Sequence, residues 1–340
     1  MVQAYWLVGR EIVEEEQQGL KRAGYGEEVI DQLSKRLQAS LGKGYTPSNL
    51  RYMRLFYRTY PRLLGGKIRH AMRDELPGGI SRERIHHATR DKSWQVGRLN
   101  PALAWTHYRL LTKVESSYVR AFYEIETVRN RWASRELERQ INSLLFERLA
   151  KSKDKKGLMR LALKGQEIRT PEDAVKDPVV LEFLGFPESH RLVESKLEEA
   201  LVNDLQSFLL ELGKGFAFAA RQRRRTLDGD HFYVDLVFYH AILKCYVLID
   251  LKVGKLTHAD LGQMQLYVNY FDEECRSVGD NPTVGIVLCA GKNAAMVKYL
   301  LGKSNQRIFA SRYKLNLPSV RELAHEIRRE LNAAMSQKNR

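Results

Sequence analysis

Three strand-like runs in close succession constrain this chain most: "FAFAARQRRRTL", "HFYVDLVFYH" and "CYVLIDLK". They are rich in aromatic and β-branched residues, and turn-forming "DGD" at 228–230 and a short loop at 241–244 separate them, so the reading is a meander of paired strands. An amphipathic helix, "HRLVESKLEEALVNDLQSFLLELG", precedes them, closed by Gly213 and Gly215. A helix "HADLGQMQLYVNYFDEE", a strand "TVGIVLCA", a helix "NAAMVKYLL", a strand near "RIFASRY" and a helix after Pro318 follow. Helix, three strands, helix, strand is a mixed α/β order with the meander at its heart.

Two of these strands spend apolar positions on acids. Strand alternation places Tyr233, Asp235, Val237 and Tyr239 on one face of the second run, and Tyr246, Leu248, Asp250 and Lys252 on one face of the third. If loop 241–244 closes a hairpin in which His240 pairs with Cys245, Asp235 lies opposite Asp250, with β-carbons about 4.5–5.5 Å apart. Facing carboxylates on an apolar sheet repel each other, and desolvation aggravates the repulsion. A hard divalent cation compensates, since Mg²⁺ takes oxygen ligands at about 2.0–2.1 Å and commonly uses one or two carboxylates with waters and phosphate. Glu198 shares a helical stripe with Leu201, Leu205 and Phe208 and is the third acid that faces the sheet. The competing reading of Asp250 is a local ion pair with Lys252. Asp228, Asp230 and Asp260 read as turn or helix-start residues.

The first 150 residues read helical, with apolar residues three and four apart in "YWLVGREIVEEEQ", "EEVIDQLSKRLQASLG" and "SNLRYMRLFYRTY". Gly42 and Gly44 stop one helix, and Thr46 with Pro47 opens the next as N-cap and first-turn residue. This spacing is compatible with a helix-turn-helix. The formal net charge is +15, from 56 Lys and Arg against 41 Asp and Glu, which favours a polyanionic partner. Ten basic residues and no acid lie between Asp31 and Asp74. Lys43, Arg51, Arg54 and Arg58 within that window are candidate phosphate contacts, and the last three recur on one helical side. Arg221, Arg223 and Arg225 alternate along the first strand as candidate backbone trackers. From Tyr108 to about Leu149 the pattern reads as helical scaffold, with Ser134 a plausible N-cap. A charge run, "KSKDKKG", and a Pro-punctuated stretch then place a domain boundary within 151–180. The domains expected are therefore 1–165 and 180–340. Cys245, Cys275 and Cys289 are too few and too scattered for a disulfide framework and read as free buried thiols. No run approaches the ~18 apolar residues of a membrane span. The start of the chain lacks a signal-peptide pattern, so the expectation is a cytoplasmic protein.

Glu198, Asp235 and Asp250-x-Lys252, in helix–strand–strand order, resemble the PD-(D/E)XK nuclease superfamily. The phrases "LEEALVNDLQSFLLELGKGFAF", "DGDHFYVDLVFYH" and "DLGQMQLYVNYF" resemble its YhcG branch, and "LSKRLQASLGKGYTPSNLRYMRLFY" and "WTHYRLLTKVE" resemble the amino-terminal domain of that branch. The resemblance implies a mainly helical, helix-turn-helix-like DNA-binding domain followed by a restriction-endonuclease-like αβββαβ nuclease domain. It implies that Glu198, Asp235 and Asp250 are metal ligands, that Lys252 is the catalytic lysine, and that Gln263 and Tyr267 form the Gln-x-x-x-Tyr element beside the metal. Val234 stands where the pattern has Pro, and Asp250 where it usually has Glu. The expectation is a Mg²⁺-dependent endodeoxyribonuclease, with Mn²⁺ able to substitute, acting on DNA, with no small-molecule cofactor and no membrane partner. Cutting both strands commonly takes two sites, so a homodimer through helices in 108–150 is plausible. The alternatives are a catalytically silent DNA-binding or assembly protein on a nuclease fold, and an RNA nuclease, since backbone electrostatics do not separate the two polymers.

Overall fold

A computed structural model describes residues 1–18, 25–64, 95–150, 155–186, 193–227, 230–301 and 307–317. The chain forms two compact units, Met1–Glu138 and Arg139–Arg340.

The first unit is helical: α1 (Val2–Gln18), α2 (Tyr25–Leu41), α3 (Pro47–Thr59), α4 (Trp105–Leu111) and α5 (Ser117–Asn130). Thr46 caps α3 as its spacing from Pro47 suggests, its hydroxyl accepting the Asn49 N–H at 3.3 Å. The buried side of α3, Leu50, Met53 and Phe56, packs chiefly on α1 and to a lesser extent on α2. Gly9 makes the α1–α3 approach possible, because a Cβ there would lie 2.0 Å from the Met53 carbonyl oxygen. Ile12, Ile30, Leu50 and Met53 form the core of this corner, flanked by Tyr5 and Trp105. The helical stretch expected from Tyr108 onward is interrupted: α5 ends on Arg131, at φ 53° in the left-handed region.

Helix α6 (Ser134–Asn142) spans the division between the units in sequence. Next come α7 (Leu145–Ala150), α8 (Lys155–Lys164) and α9 (Pro171–Ala174), then β1 (Val179–Val180), α10 (Glu194–Asn203) and α11 (Leu205–Leu212). Helices α7 and α8 fall within the second compact unit. The meander follows as β2 (Phe216–Leu227), β3 (Asp230–His240) and β4 (Cys245–Lys255), and then α12 (His258–Glu274), β5 (Val284–Gly291), α13 (Ala294–Leu301) and β6 (Ile308–Lys314). The C-terminal helix expected after Pro318 lies outside the described residues.

These six strands form one sheet in the order β1-β6-β5-β4-β3-β2. The β2–β3 and β3–β4 pairs are antiparallel, whereas β4, β5, β6 and β1 run parallel. Helices α10 and α11 cover one face through Leu197, Leu201, Phe208 and Leu212 against Leu236, Phe238, Val247 and Ile249. Helix α12 covers the other through Leu261, Met264, Val268 and Phe271 against Val237, Leu248 and Val287. Strand β5 is therefore sandwiched, which is why Val284–Cys289 is buried without alternation. The run read as one helix before the meander is two. Asp204 ends α10 and its carboxylate accepts the Ser207 N–H at 3.4 Å as the N-cap of α11, while the apolar periodicity runs on through the break.

Candidate active site

Strands β3 and β4 pair in the register that the four-residue loop requires, from His240 with Cys245 to Leu236 with Ile249. The ladder stops there, one position short of Asp235 and Asp250. Beyond it the Leu251 N–H donates to Asp235 Oδ2 at 2.8 Å, so a side-chain carboxylate stands where a backbone carbonyl would continue the pairing. Val234 and Val237 belong to the same α12-facing cluster, although strict alternation would oppose them, so β3 twists locally at Asp235. Strand β4 meanwhile stays paired to β5, with Asp250 beside Val287 and Lys252 beside Cys289. The two acids therefore come from strands that part at this point, in the interior of the sheet.

Asp250 is 2% exposed. The Lys252 ammonium lies 3.0 Å from its Oδ2 as an ion pair, and no other donor reaches that buried oxygen. Burial raises the Asp250 pKa against the pull of Lys252, and Asp260 and Glu194 add to the rise. Asp235 is pushed up to about 7, first by burial and then by the charge of Asp250, with the Leu251 N–H opposing and Glu198 contributing. For Lys252, burial disfavours the charged amine, yet Asp250, Glu194 and Asp235 outweigh it and hold its pKa above the ordinary lysine value. The local ion pair expected as the alternative reading is thus present, and it coexists with the coupled pair of acids.

Glu198 is buried on α10 and its charge is felt at Asp235. One of its oxygens, Oε2, accepts a hydrogen bond from Gln222 Nε2 at 2.6 Å. Among the described residues no three His, Cys, Asp or Glu side chains are grouped as a ready-made cation site. The donor set that does converge is the Asp235–Asp250 pair: oxygen ligands, desolvated, repelling each other, with one buried oxygen met by Lys252 alone. That chemistry fits a hard divalent cation bound through one or two carboxylates and water.

Gln263 and Tyr267, one turn apart on α12, contact each other at 2.5 Å, and the Tyr267 hydroxyl donates to the Tyr233 carbonyl at 2.9 Å. The pair therefore braces the strand two residues ahead of Asp235. Asp250, Asp235 and Lys252 all act on the Tyr267 hydroxyl electrostatically, which puts it at the margin of the acid pair. Two residues here escaped the sequence reading. Glu194 accepts the Val253 N–H at 3.3 Å, and its four-residue spacing from Glu198 was the available signal. Gln222 had no such signal.

Of the candidate phosphate contacts, Lys43 is exposed in the turn before α3, and Arg51 is exposed on that helix. Arg54 and Arg58 both pair with Glu16 of α1, at 2.6 and 2.9 Å. An acid distant in sequence thus enters the stretch that is acid-free when read linearly. Arg221 is exposed on β2; the backbones of Arg223 and Arg225 pair with Val234 and Phe232, and their side chains lie outside the described set. The first unit also holds a concavity of about 340 Å³ whose lining includes Arg62, Arg98, Arg120 and Glu124. Burial raises the Glu124 pKa to about 7, against the Gly97 N–H that it accepts at 2.9 Å. Cys245 and Cys289 are buried and Cys275 is partly so; none of the three is in a disulfide. Among the described residues, no helix is long and apolar enough to cross a membrane.

Residues 172–332 match the YhcG PDDEXK nuclease domain, and residues 1–148 match the DUF1016 N-terminal domain. The Escherichia coli (strain K12) protein named "Putative nuclease YhcG" is 41% identical over 330 residues, covering 96% of this chain and 86% of that one. Among solved structures, a repair endonuclease from Pyrococcus abyssi matches with 18% identity and a TM-score of 0.26, covering 39% of this chain and 50% of that one. A complex titled EndoMS-dsDNA2 matches with 16% identity and a TM-score of 0.27, covering 39% of this chain and 50% of that one. The chain thus spans about half the length of these solved structures.

Proposed function

Because the chain belongs to the YhcG family of PD-(D/E)XK nucleases, we propose that it hydrolyses DNA phosphodiester bonds with a divalent cation, Mg²⁺ or in its place Mn²⁺. The observation that carries this reading is the buried, mutually repelling pair Asp235 and Asp250 with the Lys252 ammonium 3.0 Å from Asp250. Asp235 and Asp250 would hold the ion, with Glu198 completing the acidic set directly or through water. When bound, such an ion lowers the pKa of a coordinated water and neutralises charge growing on phosphate oxygens.

Each residue of the chain then has a separate task. The Leu251 N–H fixes one Asp235 oxygen and so the direction in which the other points. Lys252, kept charged by its acidic neighbours, places a positive charge where a phosphate oxygen gains negative charge in the transition state. Tyr267 and Gln263 hold the backbone at Tyr233 and thereby the start of the twist at Asp235. Lys43, Arg51, Arg54 and Arg58 in the first unit, with Arg221, Arg223 and Arg225 on β2, supply the phosphate contacts that bring DNA to the protein.

The test is incubation with duplex, branched and single-stranded DNA, and with RNA, in Mg²⁺, Mn²⁺ or EDTA. The expected result is cleavage of DNA that EDTA abolishes and that Asp250→Asn reduces by about 10²–10³-fold. Cleavage of RNA alone would move the same chemistry to RNA. Binding of DNA without metal-dependent cleavage of any polymer would leave a silent nuclease fold that serves as a binding module.

A further inference from the structure

Among the described residues, four that are not glycine have positive φ: Arg131, Leu144, Gln222 and Lys244. Arg131 ends α5, Leu144 joins α6 to α7, and Lys244 sits in the β3–β4 turn. Gln222, at φ 41°, is the one inside a strand. An L-residue with a long side chain adopts this conformation reluctantly, and it persists only where the surroundings over-determine it.

The position of that residue is informative. Strands β2 and β3 pair Arg221 with Leu236 and Arg223 with Val234, so Gln222 stands across from Asp235. Asp235 in turn stands at the end of the β3–β4 ladder, across from Asp250. The unusual backbone therefore occurs on the strand beside the acid pair, at its level. From there the Gln222 amide reaches Glu198 on α10 and donates to Oε2 at 2.6 Å.

The reason such a contact matters is electrostatic. Glu198 and Asp235 repel each other across the site, and a glutamate on a helix has rotamers that would relieve the repulsion by swinging away. A neutral donor holds the carboxylate in place without adding a charge that would compete with a cation for the acids. Glycine would suit the backbone better but has no donor, and lysine or arginine would bring a competing charge.

We propose that Gln222 is a positioning residue of the hydrolytic site, fixing the Glu198 carboxylate toward Asp235 so that it contributes, directly or through water, to cation binding. This inference rests on the hydrolytic reading above and adds a residue to it. Groups that orient metal ligands by hydrogen bonds change metal affinity or activity by about 10–100-fold when removed.

The experiment compares full-length wild-type protein with Gln222→Gly, Glu198→Ala and the double variant. Mn²⁺ uptake by metal-stripped protein is followed by the electron paramagnetic resonance of the free ion, alongside thermal melting. Gln222→Gly removes the amide while relaxing the backbone, so a merely structural role predicts unchanged Mn²⁺ affinity. The expected result is an affinity about 10–100-fold weaker, with melting at or above the wild-type temperature. Because Gln222 acts through Glu198, the double variant should bind Mn²⁺ as Glu198→Ala does alone. Wild-type binding together with unchanged affinity in Gln222→Gly, or additive losses in the double variant, would overturn this inference and leave the hydrolytic reading standing. Wild-type protein that neither takes up Mn²⁺ nor cleaves would remove the hydrolytic reading and this inference with it.

Discussion

Asp235 and Asp250 were legible as neighbours because the four-residue loop sets the β3–β4 register, which holds as far as Leu236 with Ile249, one position short of them; the break in alternation at Asp235 left no trace in the sequence. Gln222 was not legible, because its role depends on a backbone angle and on a neighbouring helix, neither of which leaves a periodic trace. Glu16 escaped for a similar reason. It closes on Arg54 and Arg58 only once α1 crosses α3, and that crossing depends on the missing Cβ of Gly9. Glu124 was equally silent in the sequence and now supplies a prediction. Its folded pKa of about 7 lies above the ordinary carboxyl value, so the protonated folded form is favoured below that ordinary value, and the advantage fades as pH rises through about 7. The stability of the first unit should therefore fall between pH 5 and 8. Glu124→Gln should flatten that slope and stabilise the protein by about 2 kcal/mol at pH 8, as read by urea unfolding monitored through Trp fluorescence.

At the scale of elements, the order of helices and strands in the second unit was readable from periodicity, and α12 coincides with the phrase that announced it. What misled was continuity: apolar spacing runs through Asp204, so the cap between α10 and α11 was absorbed into one helix. The two-residue β1 was also missed, being too short to show a period. Glu211 of α11 is what ties that small strand in. It is fully buried, accepts the Val180 N–H at 2.9 Å, and pairs with Arg148 of α7 and, at 3.2 Å, with Arg139 of α6. Burial alone would raise its pKa, but Arg148, Lys176 and Arg139 outweigh burial and hold it at about 2. Its contribution to stability is present above the ordinary carboxyl pKa and is lost as pH falls toward 2. Arg148→Leu strips the buried carboxylate of its closest partner and should destabilise the second unit by about 3–5 kcal/mol in denaturant unfolding, with no gain from added salt.

For the molecule as a whole, a net charge of +15 predicts duplex binding that weakens steeply with salt. The pairing of Glu16 with Arg54 and Arg58 refines that expectation. Arg51, Arg54 and Arg58 changed together to Ala should weaken duplex binding and flatten the slope of log affinity against log salt, whereas Glu16→Gln should tighten binding and steepen it. Equal slopes for all three proteins in fluorescence-anisotropy titrations would place the phosphate contacts elsewhere. The sheet has a further consequence. Among the described strands β2 closes one edge, with no strand paired beyond its Phe216–Leu227 span. A long border of unpaired peptide groups invites stacking with another copy during synthesis or heating, and a run of like charges along it is a common defence. Arg221, exposed on that strand, puts a charge on the border and would thus help guard against aggregation whether or not nucleic acid is present, a duty independent of any reaction the protein performs.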